Sequence, residues 1–135
     1  MMREQVPSVE KRLLFWDDAA GNGLQSLQPL LDMFSRKRGQ PRDHVRHDVP
    51  WPDREELSHA LQLRSTMNPA GGDVLASYFG RATCRICGQE LGTRDFFGHG
   101  FVWPEMADHY VLAHRVWTPE CNEMLAVVRR ARRAL

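Results

Sequence analysis

Cys84-Arg-Ile-Cys87-Gly88, with His109-Tyr-Val-Leu-Ala-His114 further along, is the stretch whose reading decides how this chain folds. Two thiols at C-x2-C, a gap of 21 residues and two imidazoles at H-x4-H make a complete donor set for one tetrahedral zinc ion. Cysteines three positions apart can chelate one ion from a single tight turn, and Gly88 permits the positive φ such a turn often needs. A redox pair would need a strand before the motif and a long helix directly after it. Here Gly88, Gly92, Gly98 and Gly100 interrupt the following segment instead. Two plain structural thiols are the bland alternative.

The histidines are expected on a helix. Pro104-Glu105 suits a first turn, Met106, Tyr110 and Ala113 recur at helical spacing, and the run stops before Thr118-Pro119. Five positions diverge by about 140° on an ideal helix, so both imidazoles reach one ion only if the last turn tightens or unwinds. The bland alternative is one histidine as ligand while the other packs or caps. His99, in the Gly-rich stretch between, is the substitute, giving Cys84, Cys87, His99 and His109 as the second choice of ligand set.

Four protein ligands close a zinc site, whereas a catalytic zinc keeps one position for water. Glu105 and Asp108 form no H-E-x-x-H pattern that would supply a base. The expectation is one structural zinc and no enzyme activity.

Residues 80 to 121 resemble a group of small uncharacterised bacterial proteins. The likeness rests on the C-x-x-C-G turn and on Trp103-Pro-Glu…His109-Tyr-Val…His114, followed by Thr118-Pro119-Glu120. That family has a Gly-Leu pair where this chain has Met106-Ala107, a departure on the helix and away from the ligands. The resemblance implies a zinc-knuckle fold and no activity. Cys-Arg-Ile-Cys-Gly also resembles a run in HNH-type nucleases, but their second C-x-x-C and Asp-His step are missing. The ligand order resembles Cys2His2 fingers, whose second Cys and first His stand about 12 residues apart. The longer interval here suggests an extended hairpin and gives no ground for transferring their base-reading positions.

Length and balance bound the rest. The chain has 135 residues, 42% of them hydrophobic, and a net charge of +1. That fits one small domain with a modest core that a metal would staple. Basic and acidic residues number 10 and 10 in residues 1–67, and 8 and 7 in 68–135. No apolar run approaches a membrane span, the first residues lack a signal-peptide core, and three cysteines do not make a disulfide framework. The protein is expected to be cytoplasmic, with no membrane partner. Cys121 is expected to be a small buried hydrophobe.

The predicted architecture is α+β: a helix-rich single domain with a β-hairpin and helix forming a Cys2His2 zinc-knuckle unit in the C-terminal half. Residues 1–67 are expected to be helical, and 68–135 to hold the zinc-binding ββα unit and a last helix. Helices are predicted from Ser8 to Ala20 (with a strand over Arg12–Trp16 as the alternative), over Leu27–Arg38, and from Asp53 to about Ser65, where Asp53 and Glu56 suggest a capping box. Residues 40–52 read as an extended loop whose His44 and His47 are solvated. Asn68-Pro-Ala-Gly-Gly is a break, Val74–Phe79 a strand, and Phe96, Phe97, Phe101 and Val102 surround another. Thr118 and Pro119 start the last helix, with Met124, Leu125, Val127, Val128 and Ala131 on its buried side.

Three activities fit such a chain. The first is a protein-interaction module (adaptor, regulator or neutralising partner), with Trp51 between two prolines as a rigid contact. The second is a nucleic-acid-binding protein using Arg129, Arg130, Arg132 and Arg133, which equally suit the negative end of a helix dipole. A metal-dependent hydrolase or nuclease comes third.

Overall fold

A computed structural model describes residues 11–16 and 39–134, with backbone alone for 78–81. Among the described residues the fold is mixed α+β, three helices and one four-stranded sheet. In chain order the elements are β1 (Lys11–Arg12), a 3-10 turn (Pro41–His44), α1 (Trp51–Leu61), β2 (Asp73–Thr83), β3 (Glu90–Gly98), β4 (Phe101–Pro104), α2 (Ala107–His114) and α3 (Pro119–Arg133). The sheet runs β1-β4-β3-β2. β2, β3 and β4 form an antiparallel meander, and β1 joins its far edge parallel to β4.

The turns follow their residues. His99 and Gly100 both have positive φ (56° and 85°), the conformation of a two-residue turn that matches strand twist, and they join β3 to β4 where Gly98 faces Phe101. The β2–β3 connection is longer, residues 84–89, and closes with Cys84 N–H donating to Gln89 O at 2.8 Å. This loop carries the C-x-x-C-G motif.

The core lies between the sheet and the helices. Trp103 of β4 is fully buried, and its indole N–H donates to Leu61 O at the end of α1 (2.9 Å). Around it sit Leu13, Leu57, Leu61, Phe96, Val111, Val116 and Met124. Gly71 and Gly72 return the chain beside the end of α1, where Gly72 N–H donates to Gln62 O and Arg64 N–H to Gly72 O. A Cβ on Gly72 would stand 2.4 Å from the Trp103 ring, and one on Gly71 2.4 Å from Gln62 O. The Pro-Ala-Gly-Gly break is thus a close-packing requirement as well as a turn.

Several expected elements move. The chain at 11–16 is no helix: β1 pairs with β4, Leu13 N–H donates to Val102 O, and Leu14 has φ 63°. Adjacent Leu13 and Leu14 are both buried, which a one-sided helix stripe does not achieve. The Leu27–Arg38 helix lies outside the described residues. α1 begins at Trp51 rather than Asp53, because Pro52 in the first turn needs no N–H partner there. It stops at Leu61 rather than Ser65, where Gln62 turns extended to pair with Gly72. The last helix starts as expected, with Thr118 as its N-cap, Pro119 in its first turn and Met124, Leu125 and Val128 buried. Ala131 is exposed.

Gly72→Ala tests the packing claim. Overfilling a site against a ring with no room to move costs about 1–3 kcal/mol, so the urea midpoint should fall with its slope unchanged. A midpoint equal to the wild type would show that Trp103 does not hold this position.

Candidate metal centre

Cys84 and Cys87 stand on the β2–β3 loop, and His109 and His114 on α2. The fold brings one donor atom from each within 4.8 Å of the others. Cys87 Sγ lies 3.4 Å from His109 Nε2, and His114 Nε2 lies 3.2 Å from His109 Nε2. With Zn–S near 2.3 Å and Zn–N near 2.0–2.1 Å, a tetrahedral ion sets S···N edges of about 3.6 Å and N···N edges of about 3.3 Å. These two separations match those edges to a few tenths of an ångström, and the four donors together, within 4.8 Å of one another, could hold a metal ion. Among the described residues, no other three His, Cys, Asp or Glu side chains gather in this way.

Local structure explains how each donor arrives. Gly88 has φ 82° and its N–H donates to Cys84 O (2.8 Å), which closes the turn. Ile86 N–H points at Cys84 Sγ (3.4 Å), a contact that orients the sulfur. On α2 the five-residue separation is met by a widened last turn. Arg115 N–H and Val116 N–H (3.0 Å) both donate back to Tyr110 O, and Arg115 takes the left-handed conformation (φ 57°). A wider turn rotates His114 back towards His109, and the two rings meet edge to face at 4.9 Å. The helix begins at Ala107, not Pro104, because Trp103-Pro104 completes β4. Glu105 is therefore no first-turn acid. Its carboxylate takes both guanidinium contacts of Arg94 (3.0 and 2.7 Å), which hold it below the usual carboxylate range despite burial. It also fills the space over Gly92, where a Cβ would meet it at 2.5 Å.

Tyr110 braces the centre from behind. It is buried, its hydroxyl accepts from Arg85 N–H between the two cysteines (3.0 Å), and Trp16 packs edge-on against it. Burial pushes the phenol above its ordinary value, so it stays neutral. One hydroxyl thus ties the cysteine loop to the histidine helix. The sequence marked Tyr110 only as an apolar position of α2, and no spacing rule would have assigned it this bond.

The other candidates go elsewhere. His99 turns the β3–β4 hairpin with Nε2 3.0 Å from Ala70 O, so the second-choice ligand set does not assemble. His44 stacks on Trp16, and Asp48 is held by Arg46 (2.7 Å). Cys121 is buried under the start of α3 beside Thr118, and burial pushes its thiol up to about 11. Arg129 donates to Asp53 (2.8 Å) and Glu56 (3.0 Å) of α1, and Arg132 pairs with Glu56 at 2.7 Å. Asp53 and Glu56, expected as a capping box, are ion-pair partners that tie α1 to α3. Arg130 and Arg133 are exposed near the end of α3. Trp51 is half exposed, with the Arg54 guanidinium 4.9 Å over its ring. No helix among the described residues is long and apolar enough to cross a membrane. No protein-family model, curated protein or solved structure matches the chain.

Two measurements follow from this geometry. Burial and the neighbouring His109 charge hold His114 below the ordinary imidazole value. A depressed folded-state value favours the neutral ring, a contribution present above pH about 6.5 and lost as pH falls through the lower folded value. A bound metal acts in the same direction, since protons compete for its imidazole and thiolate ligands. Acidification from pH 7 to 4.5 should release metal and lower Tm together; metal retained at pH 4.5 would argue against histidine ligation. Thiol titration of the metal-loaded, folded protein should confine early modification to the exposed Cys87 and leave the buried Cys121 unreacted until denaturant is added. Early reaction of Cys121 would contradict its burial.

Proposed function

We propose that the protein is a zinc-clamped protein-interaction module. The β2–β3 loop and α2 act as its zinc-knuckle unit, with Cys84, Cys87, His109 and His114 holding one structural zinc. The observation that carries this reading is the donor set itself: two sulfurs and two nitrogens within 4.8 Å of one another, with no carboxylate among them. Mixed Cys and His donors of this kind suit zinc, and four protein ligands leave no position for a reacting water. The likeness of residues 80 to 121 to small bacterial zinc-binding proteins points the same way.

With no open metal position, the activity falls to surface recognition of another protein. Trp51 supports this choice. It is held at the N-terminus of α1 between Pro50 and Pro52, is half exposed, and presents a large rigid ring backed by a guanidinium. The nucleic-acid reading is weaker, because Arg129 and Arg132 are engaged by Asp53 and Glu56 and only part of the arginine cluster faces solvent.

The test is metal content per chain on protein purified without added metal, for the wild type, Cys84→Ser and His114→Ala. One zinc in the wild type, with loss of zinc and of cooperative unfolding in both variants, is the expected outcome. A folded His114→Ala protein that keeps its zinc would mean an open site and would reinstate hydrolytic chemistry.

A further inference from the structure

Arg54 of α1 is only 4% exposed, yet no carboxylate meets it among the described residues. Its Nη1 reaches Leu112 O at 3.5 Å, a long contact at the open C-terminal end of α2, and its buried Nε–H has no hydrogen-bond partner. Arginine is almost never buried unless paired, because a sealed charge without an anion carries the full cost of leaving water. The plain reading is a cation laid on the negative end of the α2 dipole. That role uses Nη1 alone and leaves the Nε–Nη2 edge unused.

The same fold shows what that edge holds elsewhere. Arg46, Arg94 and Arg129 each commit Nε and Nη2 to carboxylate oxygens at 2.7–3.0 Å, on Asp48, on Glu105, and on Glu56 with Asp53. Two parallel N–H donors in that fork match the two oxygens of a carboxylate. All three arginines are more exposed than Arg54. The most buried of the four is the one whose fork is empty.

A second cation stands beside it. Arg115 follows α2, three positions beyond Leu112; its side chain is exposed and has no ion pair or hydrogen bond among the described residues. Burial, and then the Arg115 charge, pull the Arg54 guanidinium below its ordinary value. Two like charges held together repel, and one anion between them reverses the sign. Trp51, half exposed and 4.9 Å from the Arg54 guanidinium, adds an apolar wall.

We infer that Arg54, Arg115 and Trp51 form a carboxylate-recognition site that takes an acidic side chain of a partner protein. That occupant rests on the interaction-module reading above. Nε is sealed from solvent, so the carboxylate enters on the Nη2 side and fills the Arg54 fork while Arg115 covers its outer face. The methylene groups of the acidic side chain lie along the Trp51 ring. A phosphate suits the site less well. The N–H groups of Asp53 and Arg54 at the start of α1 already donate to Pro50 O, so they are not the free helix-terminal donors a phosphate commonly uses.

The test is an NMR titration of the full-length, zinc-loaded protein, read at the Arg54 Nε–H resonance assigned through its own side chain. The probes are glutamate blocked by N-acetyl and C-amide groups, its glutamine counterpart and inorganic phosphate, each to roughly 50 mM at constant ionic strength. Expected is a saturable shift with the blocked glutamate, with a Kd of roughly 1–10 mM, and no shift with the glutamine compound. Arg115→Gln, an exposed change that should keep the zinc and the circular dichroism, should weaken binding by roughly threefold or more. No saturable shift with the blocked glutamate, an equal response to the glutamine compound, or wild-type binding by Arg115→Gln overturns the inference. Phosphate binding roughly tenfold tighter than the blocked glutamate also overturns it, because the site would then serve phosphate-bearing ligands. Zinc content is read in every sample, so failure of the clamp, and of the module reading with it, is told apart from a zinc-loaded protein that lacks the site.

Discussion

Everything in the C-terminal part of the molecule depends on one convergence, that of the β2–β3 loop with the last turn of α2. α2 has eight residues, too few to persist alone in water, where isolated helices below about 12–15 residues are marginal. Both its ends are left-handed, at Met106 and Arg115, and neither has a side-chain cap. Its stability must come from what it touches. Val111 and Tyr110 supply packing, and Tyr110 supplies a bond to the cysteine loop. Two imidazole nitrogens 3.2 Å apart beside a thiol 3.4 Å away are a poor arrangement for protonated rings, because the cations would repel. The arrangement becomes favourable when a shared cation draws on all four lone pairs.

The frame that permits this convergence is built around Trp103. Its indole holds the end of α1 through Leu61, and its ring occupies the space that Gly72 leaves. β4 then carries the chain from Trp103 to Glu105, where the pair with Arg94 fixes the departure from the sheet before α2 starts. The distance along the chain from the hairpin to the histidines is thus used by two strands and a turn. That is why the interval between second cysteine and first histidine is so much longer than in a single ββα finger.

These features were unequally legible in the sequence. The four donors could be read because metal geometry constrains spacing directly, and C-x-x-C-G leaves few other uses. α3 was legible for a similar reason, since Thr118-Pro119 and a one-sided apolar stripe both act locally. The start of α2 was misplaced because Pro104 and Glu105 carry the same local signals at the end of a strand as in a first helical turn; only the contacts with Arg94 and Asp95 decide between them. Asp53 and Glu56 resembled a cap for the same reason, and their partners lie 76 and 73 positions away on Arg129. His99 was a reasonable donor by type, but a position with positive φ beside Gly100 commits it to the hairpin. Residues whose roles are set by long-range partners were the ones local reasoning missed.

The distribution of charge completes the argument about surfaces. Asp53, Glu56, Arg129 and Arg132 face one another across α1 and α3, so these four charges are spent on one another. Such pairs are modest in energy when partly solvated, yet a connected set holds two helices in one register better than single pairs would. The exposed large hydrophobics of the described residues include Trp51 and, around the start of β2, Leu63, Val74 and Leu75. Both places are rigid, one fixed by prolines and the other by the sheet, and rigid apolar surface loses little conformational entropy when it is covered.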